Sequence, residues 1–377
     1  MPIGQGELAF VPEPMPTAVA LDAPTQRLLS EADYALGRLA GAAGRVVNPY
    51  LIGQPLLRRE AILSSRIEGT QTTPEQLVLL ELGISPQAPD GPEAADTQEV
   101  LNYVLAMELG LRRLGEIPLS LRLVRELHAA LLADVRAARD RPGQLRDVQN
   151  YISVAGTSLL LARYVPPPMP EMKEALERWE EDLHRGAEHL PLLVHLALSH
   201  YQFEAIHPFR DRNGRVGRLL IPLTLCAQGR LEQPLLYMSA YFEAHRREYV
   251  DRLLRVSTHG DWLGWVSFFV RGVAECASDG LVLAQQLIDL RERYLAQVRP
   301  ARSAGALARL VDELFRVPSI TIGRATELLG ATPASASANL AKLAQLGVVA
   351  EVTGRQRNQV FVAHEILAFV GREARLA

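Results

Sequence analysis

The sequence has few cysteines and no long apolar run, and each shortage excludes a class of protein. The two cysteines, Cys226 and Cys276, lie far apart in segments with a helical pattern, so we expect reduced, buried thiols and neither a disulfide nor a cysteine metal site. The N-terminus lacks a basic start followed by an apolar core, and no apolar run reaches the roughly 18 residues that a membrane span needs. These absences predict a cytoplasmic protein without a membrane segment.

The remaining composition is typical of a large folded protein. Its 377 residues are 48% hydrophobic, which is enough to bury a substantial core, and the length predicts two or three domains. Only Lys173 and Lys342 among the 40 basic residues are lysines, so the other 38 are arginines. We interpret this bias as genomic base composition, although arginine also favours bidentate ion pairs.

The segment from 207 to 218, HPFRDRNGRVGR, combines a histidine, an acid and several arginines in one short stretch. The residues before it and the run from Val216 to Leu225 have apolar patterns that are typical of buried helices. Pro208 disfavours helical geometry at His207, and Asn213 is a good residue for opening a helix. We therefore predict that the chain breaks at His207 and that a new helix begins near Asn213.

This segment supplies the parts for moving a phosphate-containing group. The start of a helix presents free backbone N–H groups and the positive end of the helix dipole, and Gly214 lets a ligand approach that backbone closely. Arg215 and Arg218 project from nearly the same face and form a fork for phosphate oxygens. Asp211 is a hard oxygen ligand of the kind that holds Mg²⁺ against a polyphosphate, and His207 can accept a proton near neutral pH. Structural ion pairs explain any one of these residues but not the set.

The segment resembles the signature of the Fic family, His-x-Phe-x-(Asp/Glu)-Gly-Asn-(Gly/Lys)-Arg-x-x-Arg, and departs from it only at Arg212. The resemblance implies a mainly α fold with a β-hairpin flap. It also implies nucleotidyl transfer, most often of AMP from ATP to a Ser, Thr or Tyr hydroxyl of a protein. By that resemblance His207 is the general base, Asp211 the Mg²⁺ ligand, Asn213 and Gly214 line the anion hole, Arg215 and Arg218 hold the outer phosphates, and Val216 and Gly217 belong to the same nucleotide-binding segment.

Two positions in the segment bear on the type of reaction. Gly214 favours transfer of the nucleotidyl group, because the kinase-like branch of the family has lysine there. Arg212 replaces a family glycine that can take a positive φ and let the backbone close on the phosphates, whereas arginine is strained in that geometry and adds a bulky cation. Two interpretations stay open: Arg212 is a further phosphate ligand, or activity is weak or uses another nucleotide.

A second segment, residues 51 to 70, is predicted to be a helix that ends at Gly69. Ser64 and Glu68 lie four residues apart on one face of it, a spacing that is also common by chance. Together with Gly69 they resemble the (Ser/Thr)-x-x-x-Glu-(Gly/Asn) motif of the inhibitory helix of Fic proteins. The resemblance implies that Glu68 pairs with Arg218 and occupies the space that the γ-phosphate of ATP needs.

Residues 148 to 165 have the apolar pattern of a β-hairpin, with its turn at 155 to 158. In Fic proteins a hairpin flap at this place pairs with an extended segment of the target protein and directs its hydroxyl to the histidine. A purely structural hairpin is the alternative.

Residues 235 to 273 are predicted to form two amphipathic helices. By resemblance, Tyr249 and Val250 lie near the adenine of the nucleotide. Ordinary core packing explains the same apolar side chains.

Proline- and glycine-rich stretches predict the domain boundaries: an N-terminal helical segment over 1–97, the Fic catalytic domain over 98–299, and a small domain over 303–377. In the last, three short helices, at 306–315, 322–329 and 333–346, precede a hairpin with its tip at 354–359. This order resembles a winged-helix (α+β) domain, in which 332–346 is the recognition helix and Arg355 and Arg357 lie on the wing. From residue 303 onward the chain has eight basic and six acidic residues, so DNA binding and a protein-docking or dimerising role stay open.

Two function classes follow. In the first, the chain is a protein adenylyltransferase that uses ATP and Mg²⁺, is inhibited by Glu68, and modifies a target protein or itself. In the second, it is a regulator on a Fic scaffold that has lost efficient catalysis through Arg212 and binds DNA or protein through residues 303–377. The first is favoured because the base, the acid and both arginines of the motif are present.

Overall fold

The computed structural model describes residues 1–4, 7–43, 49–84, 91–134, 141–152, 162–185, 189–355 and 357–372 of the 377. The protein is mainly α-helical, as predicted from the sequence. The described elements are, in chain order, β1 (Pro2–Gly4), β2 (Glu7–Leu8), α1 (Ala23–Ala43), α2 (Pro49–Ile67), α3 (Pro74–Glu81), α4 (Pro92–Leu114), α5 (Leu121–Leu131), α6 (Met169–Arg185), α7 (Leu192–Ile206), α8 (Asn213–Ala227), α9 (Ser239–Ala244), α10 (Arg246–His259), α11 (Trp262–Val298), α12 (Ala304–Arg316), β3 (Ser319–Thr321), α13 (Ile322–Leu329), α14 (Pro333–Gln345), β4 (Ala350–Glu351), β5 (Val360–Val362) and α15 (His364–Val370).

Helix α2 lies in the interior of the protein, where α4, α9, α11, α12 and α15 pack around it. Every residue from 51 to 65 is buried, including charged ones. Arg58 pairs with Glu81 at 2.9 Å, and Arg59 pairs with Asp279 at 2.9 Å. Because buried charges are costly unless they are paired, these contacts let a helix with a polar sequence pack as part of the core.

Helices α7 and α8 carry the two sides of the motif segment. α7 is buried on nearly all faces and ends at Ile206, and α8 begins at Asn213. Between them the backbone of His207 is left-handed, with φ 50° and ψ 59°, and so is that of Arg212, with φ 62° and ψ 12°. The predicted break at His207 and the predicted helix start near Asn213 are therefore confirmed.

The C-terminal unit, residues 304–372, contains the three predicted helices as α12, α13 and α14 and the predicted hairpin strands as β4 and β5. The side chain of Thr332 caps α14, since its Oγ1 accepts a hydrogen bond from the backbone N–H of Ser335 at 3.3 Å. β3 and α15 were not predicted. β3 adds to the hairpin, so the antiparallel sheet has the order β3-β5-β4. α12 and α15 pack on α2, so the unit shares an interface with the rest of the protein.

Some element boundaries differ from the prediction. Residues 235 to 273 contain three helices in place of two, since His245 separates α9 from α10 and α11 begins at Trp262. α11 then continues for 37 residues to Val298 and packs along α1. The domain boundary predicted between residues 97 and 98 falls within α4, which begins at Pro92, and residues 85–90 before that helix lie outside the described ones.

Cys276 is buried and Cys226 is half-buried, and both thiols are free. Among the described residues, no helix combines the length and the apolar character that crossing a membrane requires.

Candidate active site

The loop between α7 and α8 is held by the side chain of Asn213. Its Oδ1 accepts a hydrogen bond from the backbone N–H of Phe209 at 2.8 Å, and its Nδ2 donates to the Phe209 carbonyl at 2.9 Å. Asn150 also donates to the Phe209 carbonyl, at 2.8 Å. These bonds stabilise a loop that has left-handed, non-glycine residues at both ends, a conformation that costs energy and is frequent at functional sites. Asn213 was predicted to line an anion hole, and its side chain closes the loop beside that site.

Arg146 fixes the backbone at His207, although the sequence did not point to it. Its side chain is fully buried and donates to the carbonyls of His207 at 2.9 Å, of Val148 at 3.2 Å and of Pro167. Its backbone N–H donates to the carbonyl of Pro208 at 2.9 Å. Burial lowers the pKa of the guanidinium to about 10. One cation thus joins the histidine loop to both ends of the predicted flap.

The base of the predicted flap is an antiparallel pair beside the histidine loop. The backbone N–H of Ile152 donates to the carbonyl of Tyr164 at 2.8 Å, and the N–H of Tyr164 donates back at 3.1 Å. The Tyr164 hydroxyl donates to the carbonyl of Ala205 in α7 at 2.9 Å. The predicted turn at 155–158 lies within residues 153–161, which are outside the described part of the chain.

His207 is a neutral imidazole near pH 7. Burial lowers its pKa to about 4, and the charge of Arg146 acts in the same direction. The Nδ1 atom is buried and has no hydrogen-bond partner among the described residues. A neutral, partly buried imidazole can accept a proton, which is what a general base requires.

Arg218 is held by the segment predicted to be inhibitory. Its Nη2 lies 2.6 Å from Oε1 of Glu68, its Nε donates to the Ser64 hydroxyl at 2.8 Å, and its Nη2 donates to the Ser64 carbonyl at 3.0 Å. The guanidinium is 2% exposed and the Glu68 side chain 40%. Burial raises the pKa of the Glu68 carboxyl, but the charge and hydrogen bond of Arg218 outweigh burial and hold it below its ordinary value. The structure thus brings Arg218 against Ser64 and Glu68, which lie 154 and 150 residues before it.

The Glu68 carboxylate lies against the N-terminus of α8. A Cβ atom added to Gly214 would lie 2.6 Å from Glu68 Oε1 and 2.9 Å from Arg218 Nη1, so only glycine leaves room for this contact. Helix N-termini bind anions through their free N–H groups and the helix dipole. An anionic group therefore already lies where the sequence predicts a phosphate site. Glu68 follows the last residue of α2, and Gly69 has a φ of 95°, in agreement with the predicted helix end.

Asp211 at the end of the loop is exposed to solvent, whereas the side chains of Arg212 and Arg215 are largely buried. The Asp211 side chain is 51% exposed, and its Oδ1 accepts a hydrogen bond from the Arg212 N–H at 2.7 Å. The guanidinium of Arg212 pairs with Glu99 of α4. Arg215 is only 1% exposed, and its Nη1 lies 2.8 Å from Oε2 of the same Glu99. The sequence did not point to Glu99, which lies more than a hundred residues before its partners.

Of the remaining predicted residues, Tyr249, Val216 and Gly217 are buried and Val250 is exposed. The Tyr249 hydroxyl is buried 2.9 Å from Nε2 of His200, in an aromatic cluster, whereas Val250 is 37% exposed. Val216 is fully buried in the core. A Cβ atom at Gly217 would lie 2.3 Å from Oε1 of Glu204.

Glu204 is the one acidic residue of α7, a helix whose side chains are nearly all buried, and this is the signal that marks it in the sequence. Its Oε1 is buried without a hydrogen-bond partner among the described residues, and burial raises the pKa of the carboxyl to about 7.

No group of three or more His, Cys, Asp or Glu side chains that could hold a metal ion occurs among the described residues. Asp211 is a single exposed carboxylate beside the α8 N-terminus. Such a group suits a magnesium ion that takes most of its ligands from a bound polyphosphate and from water.

Two sequence models match consecutive parts of the chain: that of the Fic/DOC family N-terminal region over residues 26–112, and that of the Fic/DOC family over residues 118–225. The protein adenylyltransferase Fic of Drosophila grimshawi is 27% identical over 252 residues, which are 66% of this chain and 47% of that protein. That of Drosophila melanogaster is 28% identical over 222 residues, or 58% of this chain and 40% of that protein. The matched part thus spans less than half the length of these curated relatives.

Solved structures have a similar fold. A Fic family protein from Desulfovibrio desulfuricans G20 superimposes with a TM-score of 0.57 at 19% identity, covering 93% of this chain and 98% of the other. A Fic domain-containing signalling protein from Bacteroides thetaiotaomicron VPI-5482 gives a TM-score of 0.53 at 18% identity, covering 70% and 97%. The motif segment, the two sequence models and the shared fold agree, and the chain belongs to the Fic/DOC family.

Proposed function

We propose that this protein transfers AMP from ATP to a Ser, Thr or Tyr hydroxyl of a target protein, and that Glu68 holds it in an inhibited state. The observation that carries the proposal is the pair of Glu68 with Arg218 at the N-terminus of α8. The adenylyltransferase activity named for the Drosophila relatives supports the type of reaction.

The residues of the site fit a triphosphate. The N-terminus of α8 offers free N–H groups, and the space above Gly214 already accommodates a carboxylate, so it can accommodate a phosphate oxygen. Arg218 supplies a guanidinium for a terminal phosphate once Glu68 leaves it. Asp211 would hold the magnesium ion, which neutralises charge on the phosphates and on the leaving pyrophosphate. Tyr249, which the family resemblance places near the adenine, is buried and stacks on Phe242.

The chemistry is a displacement at the α-phosphorus of ATP. Neutral His207 takes the proton of the target hydroxyl, whose oxygen forms a bond to the α-phosphorus. The bond from the α-phosphorus to the oxygen that leads to the β-phosphorus breaks, and pyrophosphate leaves with the electron pair. An arginine that is bound to a carboxylate cannot orient the terminal phosphate for in-line attack, so the Glu68 contact inhibits this step.

The target segment is expected to add as a strand along the flap, residues 148–165, whose base adjoins the histidine loop. The hydroxyl is then delivered next to His207. The chain itself is a second candidate target, since self-modification requires only that a flexible hydroxyl of another copy reach the flap.

The test is intact-mass analysis of the Glu68→Gly protein after incubation with Mg²⁺ and each nucleoside triphosphate in turn. We expect an AMP adduct on the protein or on lysate proteins with ATP, formed about ten- to a hundredfold faster than by the parent. The estimate follows from the loss of a charge-assisted contact of about 1.5–3 kcal/mol. Glu68→Gly/His207→Ala is the matched control and should give no adduct. An absence of adducts with all nucleotides would refute the transferase, and an adduct with another nucleotide would correct the substrate.

We also propose that the C-terminal unit is a winged-helix module that docks a protein or a second copy of the chain. The helix pair α13–α14, followed by the β4–β5 hairpin, has the order of such a module. Of its cations, Arg324 pairs with Glu313 at 3.1 Å, and Lys342, the one cation of α14, donates to the Ser303 hydroxyl at 3.3 Å. α14, the predicted recognition helix, thus offers DNA a single cation, which favours protein over DNA even though Arg355 and Arg357 of the predicted wing are exposed. Light scattering of the full chain and an electrophoretic shift of duplex DNA at low salt test it, and a salt-dependent shift would reverse the assignment.

A further inference from the structure

Arg212 is the one residue at which the motif departs from the family signature, and its side chain has a defined position. Its backbone has the positive φ, 62°, that glycine would adopt at the same place. Its guanidinium is only 14% exposed and pairs with Oε1 of Glu99, while Nη1 lies 3.5 Å from Oδ2 of Asp211. The arginine is therefore tied to α4 and does not extend into solvent.

The Glu99 carboxylate is shared by two arginines and a threonine. Its Oε2 lies 2.8 Å from Nη1 of Arg215 and accepts a hydrogen bond from the Thr70 hydroxyl at 3.2 Å. The Thr70 oxygen in turn accepts from Nη2 of Arg215 at 2.8 Å. Glu99, Arg215 and Thr70 thus form a closed ring of polar contacts, and Arg212 binds the remaining carboxylate oxygen.

The two arginines depend on Glu99 to different degrees. Arg215 is almost completely buried, and Glu99 is the one carboxylate within ion-pair distance of it in the described parts of the chain. Arg212 pairs with the same carboxylate and also lies 3.5 Å from Asp211, whose side chain is 51% exposed, so Glu99 is the largely buried carboxylate that the two arginines share. A buried guanidinium that loses its only acid is strongly disfavoured or turns away. The positions of both arginines beside the start of α8 therefore depend on Glu99.

We propose that Glu99 is a positioning residue that fixes Arg215 and Arg212 beside the phosphate site, so that a nucleotide polyphosphate meets guanidinium groups that are already ordered. Pre-ordered cations bind a polyphosphate more tightly, because fewer side chains are immobilised on binding. This inference rests on the proposed function, since it assumes that the α8 N-terminus receives phosphates. It also gives Arg212 a role: it anchors the carboxylate that orients Arg215.

The test measures binding, so that catalysis does not enter. In the Glu68→Gly/His207→Ala protein, calorimetry gives the affinities for ATP, AMP and inorganic tripolyphosphate. We expect Glu99→Gln to weaken the binding of ATP and of tripolyphosphate about tenfold. The binding of AMP should weaken less than about twofold, because AMP lacks the outer phosphates. Glu99→Asp should recover part of the loss. Glu93→Gln, an exposed acid on the same helix, is the matched control and should change nothing.

Thr70→Val removes the ring contact at nearly constant volume and is the second variant if Glu99→Gln does not fold. This variant should weaken the binding of ATP and of tripolyphosphate about threefold. Equal changes for ATP and AMP, or no change in either variant, would overturn the positioning role. If ATP binds as expected but no AMP transfer occurs in the Glu68→Gly protein, the proposed function fails and the positioning role stands. If no variant binds ATP or tripolyphosphate, both fail.

Discussion

Replacing Arg146 by methionine tests whether this buried cation organises the histidine loop. Methionine fills much of the space of the side chain but cannot donate, so the carbonyls of His207, Val148 and Pro167 each lose a hydrogen bond. A buried polar group without a partner costs about 1–3 kcal/mol. Because the variant also removes a buried charge whose pKa is lowered by burial, we take the lower bound, which gives about 3 kcal/mol of lost stability for three carbonyls.

Urea unfolding of the Arg146→Met protein checks this value. Arg122→Met is the matched control, since its side chain is 71% exposed and we expect a change below about 0.5 kcal/mol. Arg146→Lys should fall between the two, because an ammonium group reaches fewer of the carbonyls. In the Glu68→Gly background, Arg146→Met should lower AMP transfer at least about tenfold, since the His207 backbone loses its support. A free energy of unfolding within about 0.5 kcal/mol of the parent, or unchanged transfer, would refute the reasoning.

Two further predictions concern buried acids and the glycine of the anion site. Burial raises the pKa of Glu60 to about 7, above its ordinary 4.5, so its contribution to stability is complete below about pH 4.5 and is lost as the pH rises through 7. Glu60→Gln should remove about half of the fall in Tm over that range, because Glu204 has a similarly raised pKa; an unchanged slope in thermal scans would contradict it. Gly214→Ala places a methyl group 2.6 Å from Glu68 Oε1 and should displace the inhibitory carboxylate, yet the same methyl blocks the phosphate. The variant should therefore show a lower Tm and no gain in transfer, unlike Glu68→Gly, and a gain in the adduct assay would place the phosphate elsewhere.

The local features of the site were accessible from the sequence because they depend on neighbouring residues. Pro208 after His207 and the helix-opening Asn213 predicted a break and a restart that the structure contains. Thr332 before Pro333 is a local helix-start pattern of the same kind, and Thr332 caps α14. The contact of Glu68 with Arg218 came from a family pattern, since nothing local links residues so far apart.

The contacts of Glu99 and Arg146 could not be predicted, and the reason is physical. Each is a polar residue in a segment where a solvent-exposed position is the ordinary expectation, and its burial is decided by elements distant in sequence. The length of α11 was not predicted, although Leu283, Leu287, Leu290, Tyr294 and Val298 in its second half recur at helical spacing and are buried.

The packing of α2 limits how the proposed inhibition can be relieved. Withdrawing the helix would expose side chains that are buried from 51 to 65, so the movement has to be confined to the residues after Ile67.

The C-terminal unit holds both helices that flank this turn. Arg59 of α2 donates to the carbonyl of Arg372 at 3.0 Å, and the Ser319 hydroxyl donates to the carbonyl of Val78 in α3 at 3.2 Å. With its two ends fixed, the turn from Glu68 to Thr72 can rearrange about Gly69, and a movement that reaches Thr70 also breaks its contacts with Glu99 and Arg215. A signal that reaches the site through the C-terminal unit would therefore act on this turn, since the unit touches the helices on either side of it and withdrawing α2 would expose its buried side chains.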